Sequence, residues 1–398
     1  MSTPISIAVI GGGPAGLRAA EVAAEAGAKV TLYEAKRSVG RKFLVAGKSG
    51  LNLTNGEAFP DFLKYYQGPC LPEFFYQALK DFDNDDLRAW ALELGIETYI
   101  ASSNKVFPTG MKAAPLLRRW IEKLRRIGVD FKVRHALTEI TPGAPHSLSF
   151  LHDDQPTTAE HDAIILALGG GSWPSTGSDG KWVQSLDNLG LKVTPLSSAN
   201  CGWETNWPAP LLEAAEGLPL KNMVVHAGDQ SRQGELVITR YGLEGGPIYR
   251  LGPAIKSQVH PHIHLDLKPT FTVDQLVRKM ESVKRNFLKE AKLRWKLSPA
   301  ALAIIEHLHG PFQDAQSLAT CVKSCRIPLT QPRPIDEAIS SAGGAQWENF
   351  SHGFALREHP SIYLAGEMLD WEAPTGGFLL QAAFATGSAA AKAAVTAK

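Results

Sequence analysis

Ile5-Ser6-Ile7-Ala8-Val9-Ile10-Gly11-Gly12-Gly13-Pro14-Ala15-Gly16 stands near the start of the chain. Six mostly apolar residues before a glycine cluster predict a buried parallel strand that turns sharply into a helix. Gly11, Gly13 and Gly16 fall in G-x-G-x-x-G spacing. Gly11 allows the tight turn, Gly13 lets a pyrophosphate approach the backbone, and Gly16 lets the helix pack closely on the strand. Pro14 and Ala15 sit in the first helical turn, where proline is tolerated because the N–H groups there have no intrahelical partner. Those free N–H groups and the positive end of the helix dipole receive phosphates.

Outward from this turn, the helix is expected to stop near Gly27. A second strand follows, Lys29-Val30-Thr31-Leu32-Tyr33-Glu34, ending on an acid 23 residues after Gly11. A carboxylate at that distance accepts hydrogen bonds from a ribose. With strand, turn, helix and acid all in place, the stretch is a dinucleotide-binding fingerprint with its full context. After Glu34 and Ala35 comes Gly40-Arg41-Lys42, whose cations could neutralise a pyrophosphate. Gly47 to Asn55, rich in Gly, Asn and Thr, is expected to be a shaped loop. It offers backbone N–H groups and amides, among them Gly47, Asn52, Thr54 and Asn55, to a cofactor heterocycle.

Composition narrows the class. The 398 residues suggest about two or three domains. Forty-one Lys and Arg face 40 Asp and Glu, so bulk charge gives no support for a nucleic-acid partner. Four cysteines in so long a chain indicate no disulfide framework. No basic leader region precedes the first strand, and no apolar run is expected to span a membrane. A cytoplasmic protein is the resulting expectation; oligomeric state is left open.

Residues 56–127 are expected to be largely helical, with a turn at Asn104 to Gly110, followed by a strand from Val129 to Arg134 and another from Ser147 to Leu151. Asp162 to Ser172 is a second buried strand that ends in glycines, with Ala167, Gly169 and Gly170 beneath the cofactor. Residues 192–270 change to short alternating strands punctuated by Pro and Gly. Residues 271–325 become helical, with Leu276, Met280, Val283 and Phe287 on one apolar face of a basic helix. The chain then returns to strand and helix. Ser361 to Glu367 is a strand closing on Gly366-Glu367, and Thr375-Gly376-Gly377-Phe378 opens a final helix whose N-terminus suits negative charge. The expected division is therefore a discontinuous domain of residues 1–191 and 326–398 around an insert of 192–325.

Taken together, the turn at Gly11 with Glu34, Gly40-Arg41-Lys42, Gly47 to Asn55, Gly169 to Gly177, Gly366-Glu367 and Thr375 to Gly387 resemble the YhiN/BaiN-type flavoproteins. The resemblance covers nearly the whole chain. It implies an α/β fold: a Rossmann-like FAD-binding domain of the glutathione-reductase-like type, with an inserted β-rich plus helical domain. It implies an FAD-dependent oxidoreductase, with NAD(P)H as candidate reductant and a small-molecule substrate. It would put Glu34 on the adenosine ribose, Gly47 to Asn55 beside the flavin and Glu367 on the ribityl chain. One departure stands out: members of the family commonly carry S-G-G-G-R-C-N-x-T-N, whereas this chain has Gly50-Leu51 where the Arg-Cys pair would fall. A cysteine role beside the flavin is therefore not expected.

Candidate catalytic residues are Arg240 and Tyr241, in Thr239-Arg240-Tyr241-Gly242-Leu243. The resemblance places such a T-x-x-G-L segment facing the cofactor. Arg240 offers a planar fork for an oxyanion and Tyr241 a phenolic proton. Cys321 and Cys325 lack the C-x-x-C spacing of redox pairs and are expected to be buried, inert thiols. His260, His262, His264 and Asp266 alternate and are expected to share the polar face of a strand, with no metal assigned. The alternative to an oxidoreductase is a flavin-containing binding or regulatory protein, or an RNA-associated flavoprotein, without NAD(P)H turnover.

Overall fold

The structure, a computed structural model, describes residues 3–396. The chain forms two compact units, one containing the residues up to Ser197 and from Ser340 onward, the other Ser198–Ile339.

The first unit is built on a five-stranded parallel sheet. Its centre is β1, Ser6–Ile10, which runs through Gly11–Gly13 into the helix α1, Pro14–Glu25, and then into β2, Lys29–Glu34. β1 pairs with β2 on one side and with Ala163–Leu166 on the other. Asp130–Val133 lies outside β2, and Ile362–Leu364 outside Ala163–Leu166. The chain thus adds its early strands on one side of β1 and its late strands on the other. The strand order reverses at the gap between β1 and Ala163–Leu166, and ligands of such sheets bind beyond the carboxyl ends at that gap. The strands read as unbroken apolar runs because both faces are covered: Ile7, Ala8, Val9, Ile164 and Ile165 have no exposed surface.

One face is covered by α1 and the C-terminal helix, Phe378–Thr396, which pack against each other. Gly387 makes this approach possible, since a Cβ there would lie 2.4 Å from the Ala15 carbonyl oxygen. The C-terminal helix is, by length and composition, apolar enough to cross a membrane, contrary to the reading of the sequence. Its burial beside α1 and the sheet accounts for that composition. The other face carries an antiparallel three-stranded meander, His135–Thr141, His146–His152 and Gln155–His161. Tyr33 stacks on Phe150 there at 4.3 Å, and its hydroxyl meets His161 Nε2 at 2.9 Å.

One local expectation is corrected within this unit. Asn104 to Gly110 is not a simple turn, because Lys105–Pro108 pairs with both Thr54–Asn55 and Thr98–Ile100. Arg41 and Lys42 open the helix α2, Arg41–Ala46, entered through Gly40 at φ 69°.

The second unit holds a six-stranded sheet in the order Trp203–Glu204, Gly242–Glu244, Gln230–Ile238, Pro219–Ala227, His262–Asp266, Cys325–Pro328. Its last strand explains why this unit runs past residue 325, where the sequence suggested it would end: Cys325–Pro328 pairs antiparallel with His262–Asp266. The expected basic helix is interrupted. Val273–Arg278 ends after two turns, and Phe287–Arg294 begins anew after Asn286 takes φ 56°. Leu276 and Met280 nevertheless reach the core. In His262–Asp266 the residues alternate, with Ile263 and Leu265 buried and His262, His264 and Asp266 on the other face, whereas His260, expected on that face too, lies in a bend before the strand.

Candidate cofactor site

The site of the first unit gathers where four strands end. Gly11 leaves β1 at φ 106° and donates its N–H to the Tyr33 carbonyl at 2.8 Å. A Cβ on Gly11 would sit 2.3 Å from the Ala167 carbonyl oxygen, and one on Gly16 would sit 1.9 Å from the Gly11 oxygen. These two glycines are demanded by the packing of the turn. Gly13 differs, because a Cβ there would meet nothing within 4 Å. The space above Gly13 is open, as the approach of a pyrophosphate to this backbone requires. Pro14 and Ala15 begin α1 beneath that space, presenting the free N–H groups of its first turn.

Glu34, at the end of β2, is held by two backbone donors. Gly12 N–H reaches one carboxylate oxygen at 2.8 Å, and Lys36 N–H reaches the other at 2.7 Å. The carboxylate is therefore locked beside the glycine turn, with lone pairs left to accept from a ribose. Burial pushes its pKa upward, partly opposed by these two N–H groups and by the charges of Lys36 and Arg41. Ala35, the next residue, is exposed.

Lys42 and Glu367 form the second polar centre. Lys42 Nζ lies 2.9 Å from Glu367 and 2.8 Å from Ser172 Oγ. Glu367 also accepts from Gly170 N–H at 3.3 Å and from Ser341 N–H at 2.9 Å. Gly171 N–H donates to Ser341 Oγ at 3.0 Å. Gly366 anchors this corner from behind, its N–H donating to Thr386 Oγ1 at 2.9 Å. Lys42, Gly170, Gly366 and Glu367, expected at the cofactor from the sequence, are brought together here, joined by Ser172 and Ser341, which were not expected. Their only signal is that each is a small polar residue placed next to glycine or serine. Arg41, at the exposed N-terminus of α2, remains in solvent.

The loop from Gly47 to Asn55 and the start of the C-terminal helix form a third wall. Asn55 donates through its side-chain amide to the Gly376 carbonyl at 2.9 Å. Gly377, at φ 100°, lies so close to Thr54 that a Cβ would meet that residue's backbone at 2.3 Å. Thr54 Oγ1 donates to Gln381 Oε1 at 2.7 Å, and Gln381 donates onward to the Phe82 carbonyl at 2.7 Å. Gln381, missed in the sequence, is a fully buried amide in an otherwise apolar helix. Phe378 stacks on Tyr65 at 4.3 Å, and its carbonyl accepts from Tyr66 at 2.8 Å. Leu51, where the resemblance would put a cysteine, is buried. Asn52, next in line, keeps a buried side-chain oxygen with no partner. Gly169 takes φ 75° beside Ser178, whose buried hydroxyl is likewise without a partner. Gly47 packs against Ala113, and Thr375 precedes the glycine pair.

Arg240 and Tyr241 belong to the second unit, in the turn between Gln230–Ile238 and Gly242–Glu244. Arg240 is exposed and reaches Glu216 at 3.4 Å, a surface ion pair of little strength. Tyr241 donates to Glu244, and the Arg333 guanidinium lies 4.2 Å above its ring. Arg333 is itself held by Glu204 at 2.7 Å and by Glu337. Burial, followed by the Glu244 hydrogen bond and charge, pushes the Tyr241 pKa upward.

An open glycine turn, an anchored acid at the end of β2 and an orphaned asparagine oxygen fit FAD, a dinucleotide with a polar heterocycle. The fold and site define a flavoprotein oxidoreductase with a Rossmann-type FAD-binding domain. The chain belongs to the HI0933-like family, whose Rossmann-domain profile matches residues 5–393. Over 98% of each chain it is 28% identical to the 3-dehydro-bile acid delta(4,6)-reductase of Clostridium scindens. Over the same share it is 22% identical to the ribosomal RNA dihydrouridine synthase of Escherichia coli. Its fold resembles that of the 3-ketosteroid delta1-dehydrogenase of Sterolibacterium denitrificans, with a TM-score of 0.55, 12% identity and 100% of both chains covered.

Proposed function

We propose that this protein is an FAD-dependent reductase that adds hydride to a carbon–carbon double bond conjugated with a carbonyl, using NAD(P)H as reductant. One observation carries the reading. Two full-length relatives are named for saturating such a bond, one in a 3-dehydro-bile acid and one in uridine. Bound FAD supplies the hydride carrier between nicotinamide and substrate. The sequence holds a single G-x-G-x-x-G turn, so the nicotinamide nucleotide visits without a dinucleotide domain of its own. Gly11–Gly16 and the first turn of α1 hold the pyrophosphate, Glu34 takes the ribose hydroxyls, and the Asn52 oxygen accepts from the flavin edge. Glu367 takes the ribityl hydroxyls beside Lys42. Tyr241 is the proton donor in this reading. The phenol is protonated at neutral pH and can give its proton to the carbanion that hydride addition leaves beside a carbonyl. Arg240 recognises an oxyanion on the substrate. A cytoplasmic location, with its supply of NAD(P)H, is part of the same proposal.

The test is anaerobic reduction by NADH or NADPH, followed by addition of a 3-oxo-Δ4 steroid, a simple cyclic enone or a uracil-containing oligonucleotide. Recovery of the oxidised flavin spectrum by one of them is expected, and Tyr241→Phe should slow it without altering the flavin spectrum. If none reoxidises the flavin while quinones or oxygen do, the reading fails.

A second reading makes the uracil of an RNA the substrate. It rests on the exposed cations Arg278, Lys279, Lys284, Arg285, Lys289, Lys292, Arg294 and Lys296, opposed in that stretch only by Glu281 and Glu290. Retention of RNA that falls steeply with salt, and is lost when Lys284, Arg285 and Lys289 become Glu, would favour it.

A further inference from the structure

The second unit brings together three side chains that the flavin chemistry does not use. Cys321 lies in the last turn of the helix Ala315–Lys323, and Cys325 opens the strand Cys325–Pro328. The chain leaves the helix at Ser324, with φ −148° and ψ 61°, so the two thiols converge by a bend instead of sharing a helical face. His309 closes a single π-helical turn, Ile305–His309, a conformation frequent at functional sites. A ring nitrogen of His309 and the two sulfur atoms all lie within 4.8 Å of one another.

Nε2 of His309 is buried and has no hydrogen-bond partner among the described residues. A buried polar atom left without a partner calls for a missing neighbour, and Cys321 and Cys325 are the metal-ligating groups beside this ring.

We propose that His309, Cys321 and Cys325 form a binding site for a zinc-class divalent metal. Two thiolates and an imidazole exclude calcium and magnesium, which take oxygen ligands. Zinc–sulfur and zinc–nitrogen bonds of about 2.3 and 2.0 Å put tetrahedral ligand atoms roughly 3.5–3.8 Å apart, which these groups reach by small rotations. On binding, the two thiols release their protons to solvent, and two thiolates neutralise the ion. A neutral cluster suits this half-buried position, where an unbalanced charge would not. The fourth coordination position is left to water. The ion would tie the π turn and the helix end to Cys325–Pro328, the edge strand of the six-stranded sheet.

The full-length flavoprotein, reduced and stripped with a chelator, is titrated with zinc alone in competition with a chromophoric chelator. Bound metal is then measured by mass spectrometry after desalting. One zinc per chain is expected, with affinity lowered about tenfold or more in Cys321→Ser, Cys325→Ser and His309→Gln. Cys70→Ser, which alters an exposed thiol elsewhere, should bind as the wild type does. Flavin absorbance shows that each variant has folded. A second readout needs no variant: zinc should protect two of the four thiols from a thiol reagent. Failure of the wild type to retain zinc, or equal retention by all variants, overturns the site. So does a Cys321–Cys325 disulfide in the freshly purified protein that persists as the stable form under cytosolic reducing conditions.

Discussion

Lys42 donates to the carboxylate of Glu367 at 2.9 Å although the two residues stand 325 positions apart. The pair joins the start of α2 to the segment in which the chain returns to its first unit. Both side chains are mostly shielded, with relative exposures of 27% and 19%. Their attraction is accordingly less screened than that of surface pairs.

Lys42→Met and Glu367→Gln should each weaken FAD retention, and the double variant should lose less than the sum of the two. A coupling of about 0.5–3 kcal/mol is expected for residues in direct contact. FAD dissociation constants from flavin fluorescence give all four corners of the cycle. Strictly additive losses would show that the pair does not act as a unit.

Glu34→Ala should weaken FAD by about 1–3 kcal/mol, the value of a lost charge-assisted hydrogen bond, and leave FMN binding unaffected because FMN has no adenosine ribose. The pH dependence has a definite sign. Burial raises the Glu34 pKa above the 4.5 of a free glutamate, so the carboxyl takes up its proton at a higher pH than an exposed one. In the cofactor-free protein its contribution to stability is full below the unfolded pKa and is lost as pH rises through the folded pKa. FAD affinity runs the other way, falling as acidification protonates the ribose acceptor. Affinity measured against pH should decline before ordinary glutamates titrate, and the decline should vanish in Glu34→Gln.

Gly13→Ala and Gly16→Ala should separate binding from folding. A Cβ on Gly13 enters open space, so the cofactor-free protein should unfold at nearly the wild-type temperature while FAD binding is lost. A Cβ on Gly16 would overlap the Gly11 oxygen, so that variant should fail to fold or melt far lower. Thermal melts with and without FAD distinguish the two. Equal destabilisation of both cofactor-free variants would contradict the geometry.

Glu21 should be the most costly surface-independent charge to remove. It is fully buried on α1, with Lys123 at 2.5 Å, Arg18 at 3.3 Å, and the indole N–H groups of Trp120 at 2.7 Å and Trp90 at 3.1 Å. Glu21→Ala leaves these donors facing a cavity and should destabilise by about 3–5 kcal/mol. Chemical denaturation of the cofactor-free protein measures it. A loss below the range of ordinary surface substitutions would mean that water replaces the carboxylate.

The sequence alone determined the β1–turn–α1–β2 unit, the acid that ends β2 and the return of the chain to its first unit. These are local: glycine spacing, apolar runs and a counted interval to Glu34 act within a few tens of residues. Only the tertiary structure decided what depends on distant approach. Lys42 was legible as a cation, but its engagement by Glu367 and Ser172 was not. Gln381 was hidden as one polar residue in an apolar helix until Thr54 was seen against it. The apolar spacing of Leu276, Met280, Val283 and Phe287 suggested one helix, yet the helix ends at Arg278 and a new one starts at Phe287, because Leu276 and Met280 need only reach a core, not continue a helix. The second unit ran past residue 325 because strand pairing of Cys325–Pro328 with His262–Asp266 outweighs any change of composition there. His309 carried no signal beside Cys321 and Cys325, since twelve residues, a π turn and a helix had to fold before the imidazole could meet the thiols.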